Sequence, residues 1–414
     1  MDICLYLSSL EICGFERERF TTSTSVESIL EHLRFLSVEI GPRVSTSVNE
    51  RRAAEYIEQV FKREGLEVAV EDFSSIGSFA QIFYVVITLQ IVAAIVFLWS
   101  VLIAFVLSLV CLLFLLTELN LKSTVSRFLP RRSSQNVVGR LSPSGKAEKR
   151  VVLMGHCDSA FPFLFNHPRM AKFSSLPFLV GLVSSVMLIV FYGLAAIFQA
   201  VGQSSLVSGL WFASFPFLGY LGVVLLVFAF GQITERGSNG ANDNASGVSV
   251  ILGVASELSK NPLVNTEVWC VATGCEETGT TGTIRFLDRH ARELEDAYMF
   301  SVDCVGKGSL RYIVQEGVLS TVRAPSELVG LVDGVARRIS SEVDVKPVAI
   351  RFHASDAYPL LQRGLKAMDI ISLVENDMPA NLHWKTDVYE NIDSRTVSDA
   401  FMFVLEILRA IDSR

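Results

Sequence analysis

The chain has 414 residues, room for two or three domains, with a formal net charge of -7 and charged residues at only 19%. The acidic balance and the lack of any basic stripe exclude a nucleic-acid surface. Mean hydropathy is +0.42, and the apolar excess is local: no Asp, Glu, Lys, Arg or His occurs between Phe79 and Thr117, or between Phe173 and Thr234.

Residues 1–25 do not read as a secretory signal, because Asp2, Glu11 and Glu16 break up the short apolar segments. Seven cysteines at irregular spacing, with no Cys-x-x-Cys pair, predict buried free thiols in a reducing compartment rather than disulfides or a zinc knuckle. Amphipathic helices are expected over 26–39 and 47–64, the second with Ala53, Ala54, Ile57, Val60 and Phe61 on one face. Gly65 ends it, and Leu66 to Phe73 alternates as a strand does.

The first apolar block follows. Strands are then expected at 136–141 and 150–154, joined by the turn Ser142-Pro143-Ser144-Gly145, and the second apolar block comes next. Beyond it strands and helices alternate: helix 245–258, strand 267–273, helix 279–291, strand 297–302, helix 324–341, strand 346–351, helix 356–363, strand 368–373, helix 394–411. This order predicts an α/β domain around a mixed, mostly parallel sheet flanked by helices.

A spanning helix needs about 20 apolar residues, so each block has room for two. The divisions read from the sequence are an N-terminal segment 1–25, catalytic parts 26–78, 119–172 and 235–414, and transmembrane hairpins 79–118 and 173–234. The three catalytic parts must build one domain on one side of a bilayer, so each block crosses an even number of times. The expected helices are 79–98, 101–118, 174–198 and 208–231, with turns near Trp99-Ser100 and Gly202-Gln203-Ser204-Ser205. The far-side turns carry no Lys or Arg, whereas Lys122, Arg127, Arg131, Arg132, Arg169, Lys172 and Arg236 cluster near the other helix ends. The positive-inside rule therefore places the soluble domain in the cytoplasm of a multi-pass protein. The spans lack charged residues, which argues against a transporter.

Five short stretches carry the chemistry: Gly155-His156-Cys157-Asp158-Ser159, Gly240 to Gly247, Cys275-Glu276-Glu277, Val302-Asp303 and His383 to Asp387. His156 ends an apolar strand, at the edge where open α/β sheets bind ligands. Asp158 is placed to orient its imidazole. Asp243 opens a helix and has the ordinary alternative of an N-cap. Glu276 and Glu277 follow a strand; if Glu277 binds a metal, Glu276 is free to act as a general base. Asp303 ends another strand, and His383 lies in a polar loop. Each position has a plain structural explanation by itself. Together they supply imidazoles and carboxylates for a pair of divalent metals. The one glycosylation sequon, Asn244-Ala245-Ser246, falls inside a motif where a glycan could not fit.

The order His-x-Asp, Asp-Asn-Ala-Ser-Gly, Glu-Glu, Asp and a late His resembles the M28 family of zinc exopeptidases, across all the chain outside the apolar blocks. Ile40-Gly41-Pro42-Arg43, Arg52 to Ile57 and Ser355-Asp356 with Gly364 downstream resemble it too. The resemblance implies a sandwich around an eight-stranded sheet and two zinc ions per chain. It implies that Asp243 bridges them, with His156 and Asp303 completing one site and Glu277 and His383 the other. It also implies that Glu276 is the base acting on a zinc-bound hydroxide and that Asp158 orients His156. Asp356 is implied as a site-lining or supporting residue; Asp387, four residues after the last His, is read as substrate-binding or supporting, and His353, beside Ser355-Asp356, as substrate-binding with a structural role as its alternative. The departures are Asn242 in place of a second Asp, Trp384 after the last His, and the apolar insertion between His156 and Asp243. The function expected is a membrane-anchored aminopeptidase acting on short peptides. The alternatives are a one-zinc glutaminyl cyclase and a membrane scaffold with a vestigial hydrolase domain.

Overall fold

A computed structural model describes residues 24–414 apart from 168, 170–172, 174, 235, 236 and 376. The expected segment 1–25 lies almost wholly outside the described residues, as do Lys172 and Arg236. The first helices, α1 (Val26–Arg34) and α2 (Val48–Arg63), start at serines whose hydroxyls accept backbone N–H groups: Ser25 from Ser28 and Ser47 from Glu50. The helix expected over 26–39 continues past Arg34 as one wider π turn, Phe35–Ile40. Strand β1 (Glu67–Ser75) follows. His32 of α1 is half-buried, with Nδ1 2.6 Å from the Tyr56 hydroxyl.

The first apolar block folds as helices α3 (Ala80–Val96) and α4 (Val101–Leu119), with Ser100 capping α4. Strands β2 (Arg132–Leu141) and β3 (Lys149–His156) come next. The second block gives α5 (Leu176–Ala200), α6 (Ser204–Ala213) and α7 (Phe215–Thr234). The span expected at 208–231 is thus longer and broken at Ser214. Three stretches are long and apolar enough to cross a membrane: Val101–Leu119, Leu176–Ala200 and Ser204–Ile233. Ala80–Val96 is equally apolar but has 17 residues. The helices have their own apolar interior, in which Gly193 of α5 lets Phe105 of α4 approach: a Cβ there would stand 3.1 Å from the ring. Their outer faces expose large apolar side chains such as Ile95, Leu102, Val106, Leu113, Val183, Leu226 and Ile233, more than a water-facing surface carries.

The remaining elements are α8 (Gly247–Lys260), β4 (Thr266–Thr273), α9 (Thr281–His290), β5 (Tyr298–Asp303), β6 (Ser309–Glu316), β7 (Val322–Arg323), α10 (Ser326–Arg338), β8 (Lys346–Ala349), α11 (Ala357–Gln362), β9 (Lys366–Leu373) and α12 (Ser394–Asp412). The sheet has nine strands, not the eight that the resemblance implies, in the order β1-β2-β4-β3-β5-β9-β6-β7, with β8 paired to β6. Its centre, β4-β3-β5-β9, is parallel; β1, β2, β6 and β7 join it through antiparallel pairs, and β8 lies parallel to β6. Sequence reading missed β6 and β7. It also treated β2 and β3 as joined by a turn, but β4 inserts between them.

Alternate residues along β2 serve opposite layers, as the pleat requires. Gly139 lies under Phe61 of α2 and Leu66, where a Cβ would clash at 2.9 and 2.7 Å. Its neighbour Arg140 stacks on Trp269, which packs against Phe286 of α9. The parallel strands are buried on both faces and read as apolar runs, Val151 to Met154 and Val268 to Val271. Their carboxyl ends bring His156, Thr273 and Asp303 to one edge of the sheet.

Candidate active site

Backbone geometry aims the side chains. Cys275, Cys304 and His383 all have left-handed backbone, with φ of 55, 52 and 48°. Such conformations are uncommon outside glycine and cluster at functional sites. The loop before α8 turns at Gly240 (φ 58°), where a Cβ would stand 2.5 Å from the Asp243 carbonyl oxygen and 2.8 Å from the Arg43 guanidinium. The Asp243–Asn244 peptide is cis. Asn244, not Asp243, serves the helix that follows: its Oδ1 accepts from the N–H groups of Gly247 and Cys304. The N-cap alternative for Asp243 is thereby removed. Asn244 is fully buried, which agrees with the sequon being unusable.

The structure brings together all five of the side chains expected to hold metal. His156 Nε2 stands 3.1 Å from Asp243 Oδ1 and 3.6 Å from Asp303 Oδ1. His383 Nε2 stands 3.0 Å from Asp243 Oδ2 and 3.2 Å from Glu277 Oε2. The two oxygens of Asp243 therefore face two different clusters. Ligands about 2.0–2.1 Å from a tetrahedral zinc lie about 3.3 Å from one another, and these spacings fall around that value. Asp243 Oδ2, Glu277 Oε1 and Asp303 Oδ1 are buried without a hydrogen-bond partner. Buried carboxylate oxygens left unpaired are costly, so the donor set fits divalent cations. Glu276 offers a carboxylate oxygen within 4.8 Å of donor atoms on His156 and Glu277.

The electrostatics express the same crowding. Burial by itself would raise the Asp243 carboxyl, but the imidazoles of His156 and His383 against its two oxygens hold it well below the usual range. Burial disfavours charge on His156, yet Asp158, Asp243 and Asp303 push its imidazole well above the ordinary value. Burial, opposed by His156 and reinforced by Glu277, raises the Glu276 carboxyl well above its usual range.

The supporting residues do more than was expected of them. His156 Nδ1 lies 3.2 Å from the Asp158 backbone carbonyl and 3.5 Å from the Asp158 carboxylate. That carboxylate accepts the backbone N–H groups of Glu276 and Glu277 at 3.1 and 3.2 Å, and the Ser45 hydroxyl at 2.6 Å. Asp387 accepts the N–H groups of Asn242 and Asp243, and burial beside Asp243 raises its carboxyl to about 8. Asp356 is buried and receives the hydroxyls of Thr273 and Thr283, so it braces β4 against α9 and does not line the cavity. His353 does line the cavity, 3.7 Å from Asp369. Burial opposes its charge, but Asp369 and Glu316 raise it to about 9.

Two buried residues have roles that sequence reading missed. Arg43 donates to the carbonyls of Leu36, Gly41, Cys157, Asn239 and Gly240, clamping three loops of the site together. Only its place in the Gly-Pro-Arg segment had singled it out. Glu50 accepts from the N–H groups of Thr46 and Cys275 and the hydroxyl of Ser134; burial, with Asp158 nearby, raises it to about 8. Among the described residues five cysteines are buried and unbridged, Cys157, Cys275 and Cys304 among them, as expected.

The side chains open into a cavity of about 560 Å3. Asp243, Glu276, Glu277, Asp303 and His383 form one wall. Helix-end residues form another: Phe79, Ala80 and Phe83 by α3, Leu119 and Leu121 by α4, Phe178 on α5 and Phe228 on α7. The stretch from Thr234 to Asp243 is only nine residues long (243 minus 234), a reach of about 30 Å at most.

The sequence model of peptidase family M28 matches residues 226–408. This segment belongs to that family. His156 and Asp158 lie outside the match and reach it through β3. No curated protein matches the chain. Among solved structures, a zinc aminopeptidase from Bacillus subtilis is similar at 14% identity and a TM-score of 0.55, over 94% of this chain and 95% of that one. An aminopeptidase from Aneurinibacillus sp. strain AM-1 is similar at 16% identity, with a TM-score of 0.55 and 93% of each chain covered. A Bacteroides thetaiotaomicron glutaminyl cyclase is similar at 14% and 0.55, over 94% of this chain and 99% of that one. The chain thus has a fold shared by zinc aminopeptidases and glutaminyl cyclases.

Proposed function

We propose that the chain is a membrane-anchored dinuclear zinc exopeptidase, an aminopeptidase acting on short peptides. The observation that carries this reading is the two-sided carboxylate of Asp243, with one imidazole and one further carboxylate on each side. His156 and Asp303 would hold one zinc, Glu277 and His383 the other, and Asp243 both. Bound zinc supplies Lewis acidity, polarising the scissile carbonyl and acidifying a water. Glu276, which is not needed as a ligand, takes the proton of the attacking water and returns it to the leaving amine. Asp158 keeps Glu276 and Glu277 in place through their backbone N–H groups, and Arg43 and Asp387 fix the loop that carries Asp243.

The membrane reading rests on three long apolar helices and on parity. β1 and β2 pair residue by residue from Glu67–Arg140 to Ser75–Arg132, yet α3 and α4 lie between them. If α4 crosses the bilayer, α3 must cross it as well. We therefore read two hairpins and four crossings, α6 and α7 together making the last. The chain's basic residues favour a cytoplasmic catalytic domain.

A peptide beginning with glutamine separates this function from the cyclase alternative. Zinc-replete protein in detergent should release free glutamine and a shortened peptide. Loss of ammonia without shortening of the chain would establish the cyclase instead.

A further inference from the structure

A second cavity, of about 170 Å3, lies inside the helical bundle. It shares Phe83, Phe178 and Phe228 with the catalytic cavity, so the two meet at one ring of aromatic side chains. From Phe83 its wall runs along α3 through Val86 and Ile87 to Gln90. Seven residues of helix carry it about 10 Å away from the catalytic side chains. Its other walls include Leu115, Leu182, Leu221 and Val224.

Depth and polarity select the occupant. Extended peptide rises about 3.3 Å per residue, so filling 10 Å with main chain would take about three residues and bury about six backbone polar groups. Each would need a partner. The lining offers little: Gln90 Oε1 is buried without a partner, while Ser185 Oγ already donates to the Gly181 carbonyl. A hydrocarbon chain brings no such groups. At about 30 Å3 per water-sized group, the volume holds about six methylenes.

We propose that the catalytic cavity continues past Phe83, Phe178 and Phe228 into a binding channel for a single alkyl chain. The enzyme then acts on amides and peptides whose terminal residue carries a hydrocarbon tail. This inference rests on the membrane peptidase reading. Outer faces of the same helices meet lipid in that reading, which puts the channel where such tails are dissolved.

The test is a series of fluorogenic amides of 2-amino acids with straight alkyl side chains, from alanine to 2-aminodecanoic acid, on the zinc-replete full chain in nanodiscs. Burying each methylene should raise kcat/KM about fourfold until the channel is full. Gly181→Phe should flatten the series while leaving the alanyl amide within about twofold. Its Cβ meets only ordinary contact there, with Tyr220 Cε1 nearest at 3.9 Å, and Gly181 lines the second cavity. Leu182→Trp, which fills the channel from the next position, should do the same. A flat series in the unmodified enzyme, with good turnover of the alanyl amide, would overturn the channel and leave the peptidase reading intact. A 2-aminodecanoic amide bearing a terminal diazirine gives a readout free of turnover. Crosslinking to 86–90 and 181–185, displaced by the unlabelled compound, supports the channel even if no amide is cleaved. Crosslinks confined to the outer helix faces would contradict it.

Discussion

Asp387 holds Asp243 by its main chain: one carboxylate accepts the N–H of Asn242 at 2.6 Å and that of Asp243 itself at 3.1 Å. The carboxylate that we propose to bridge two zinc ions is thus set through its main chain by Asp387. Partners of this kind typically contribute about 10–100-fold to metal affinity. Asp387→Ala should weaken zinc binding by about that factor, measured by competition with a chelator, while the folded domain persists. Unchanged affinity would mean that the loop is held by Arg43 and Gly240 alone.

Asp243→Ala should remove ligands from both clusters at once. Zinc per chain, measured by elemental analysis after gel filtration, should fall from about two towards zero. Retention of one full equivalent would show two independent sites, with no bridge between them.

His32, which does not line the catalytic cavity, predicts an acid-sensitive contact of its own. Burial, helped by Arg63, lowers its imidazole to about 4, against 6.5 when unfolded. The unfolded chain therefore binds the proton more readily, so stability is full above about pH 6.5 and falls as pH drops towards 4. His32→Gln should remove this component. Thermal midpoints of both proteins in detergent at pH 7.5, 5.5 and 4.5 check it; equal losses in the two would rule His32 out.

Reporters after Arg414 and near Ser144 should lie on the same side of the membrane, the cytoplasmic one, and a reporter in the turn at 201–203 on the other. The first two falling on opposite sides would contradict the second hairpin and the pairing of β4 with β2 and β3 together.

Much of this site was legible because its residues terminate strands or open helices. An apolar run ending in His156 or Asp303 is a local pattern, and the parallel sheet does the rest by aligning those ends. Strand order was not legible: nothing in Ser142 to Gly145 tells β2 that its neighbour will be β4, which arrives over a hundred residues later. Strand β6 carries an alternation in Leu310, Tyr312 and Val314 that could have found it. Arg43 and Glu50 escaped because their roles consist of long-range hydrogen bonds, mostly to main chain, which leave no periodic trace. The joining of the catalytic cavity to the helical bundle was foreshadowed only by the short tether between Thr234 and Asp243.

Glu276→Gln tests a two-zinc site with Glu276 as its proton acceptor most directly when zinc content and turnover are read on the same sample. About two zinc ions per chain are expected in both proteins, with a loss of peptide hydrolysis of about a hundredfold or more in the variant. Near-normal turnover by a variant with full zinc would contradict it.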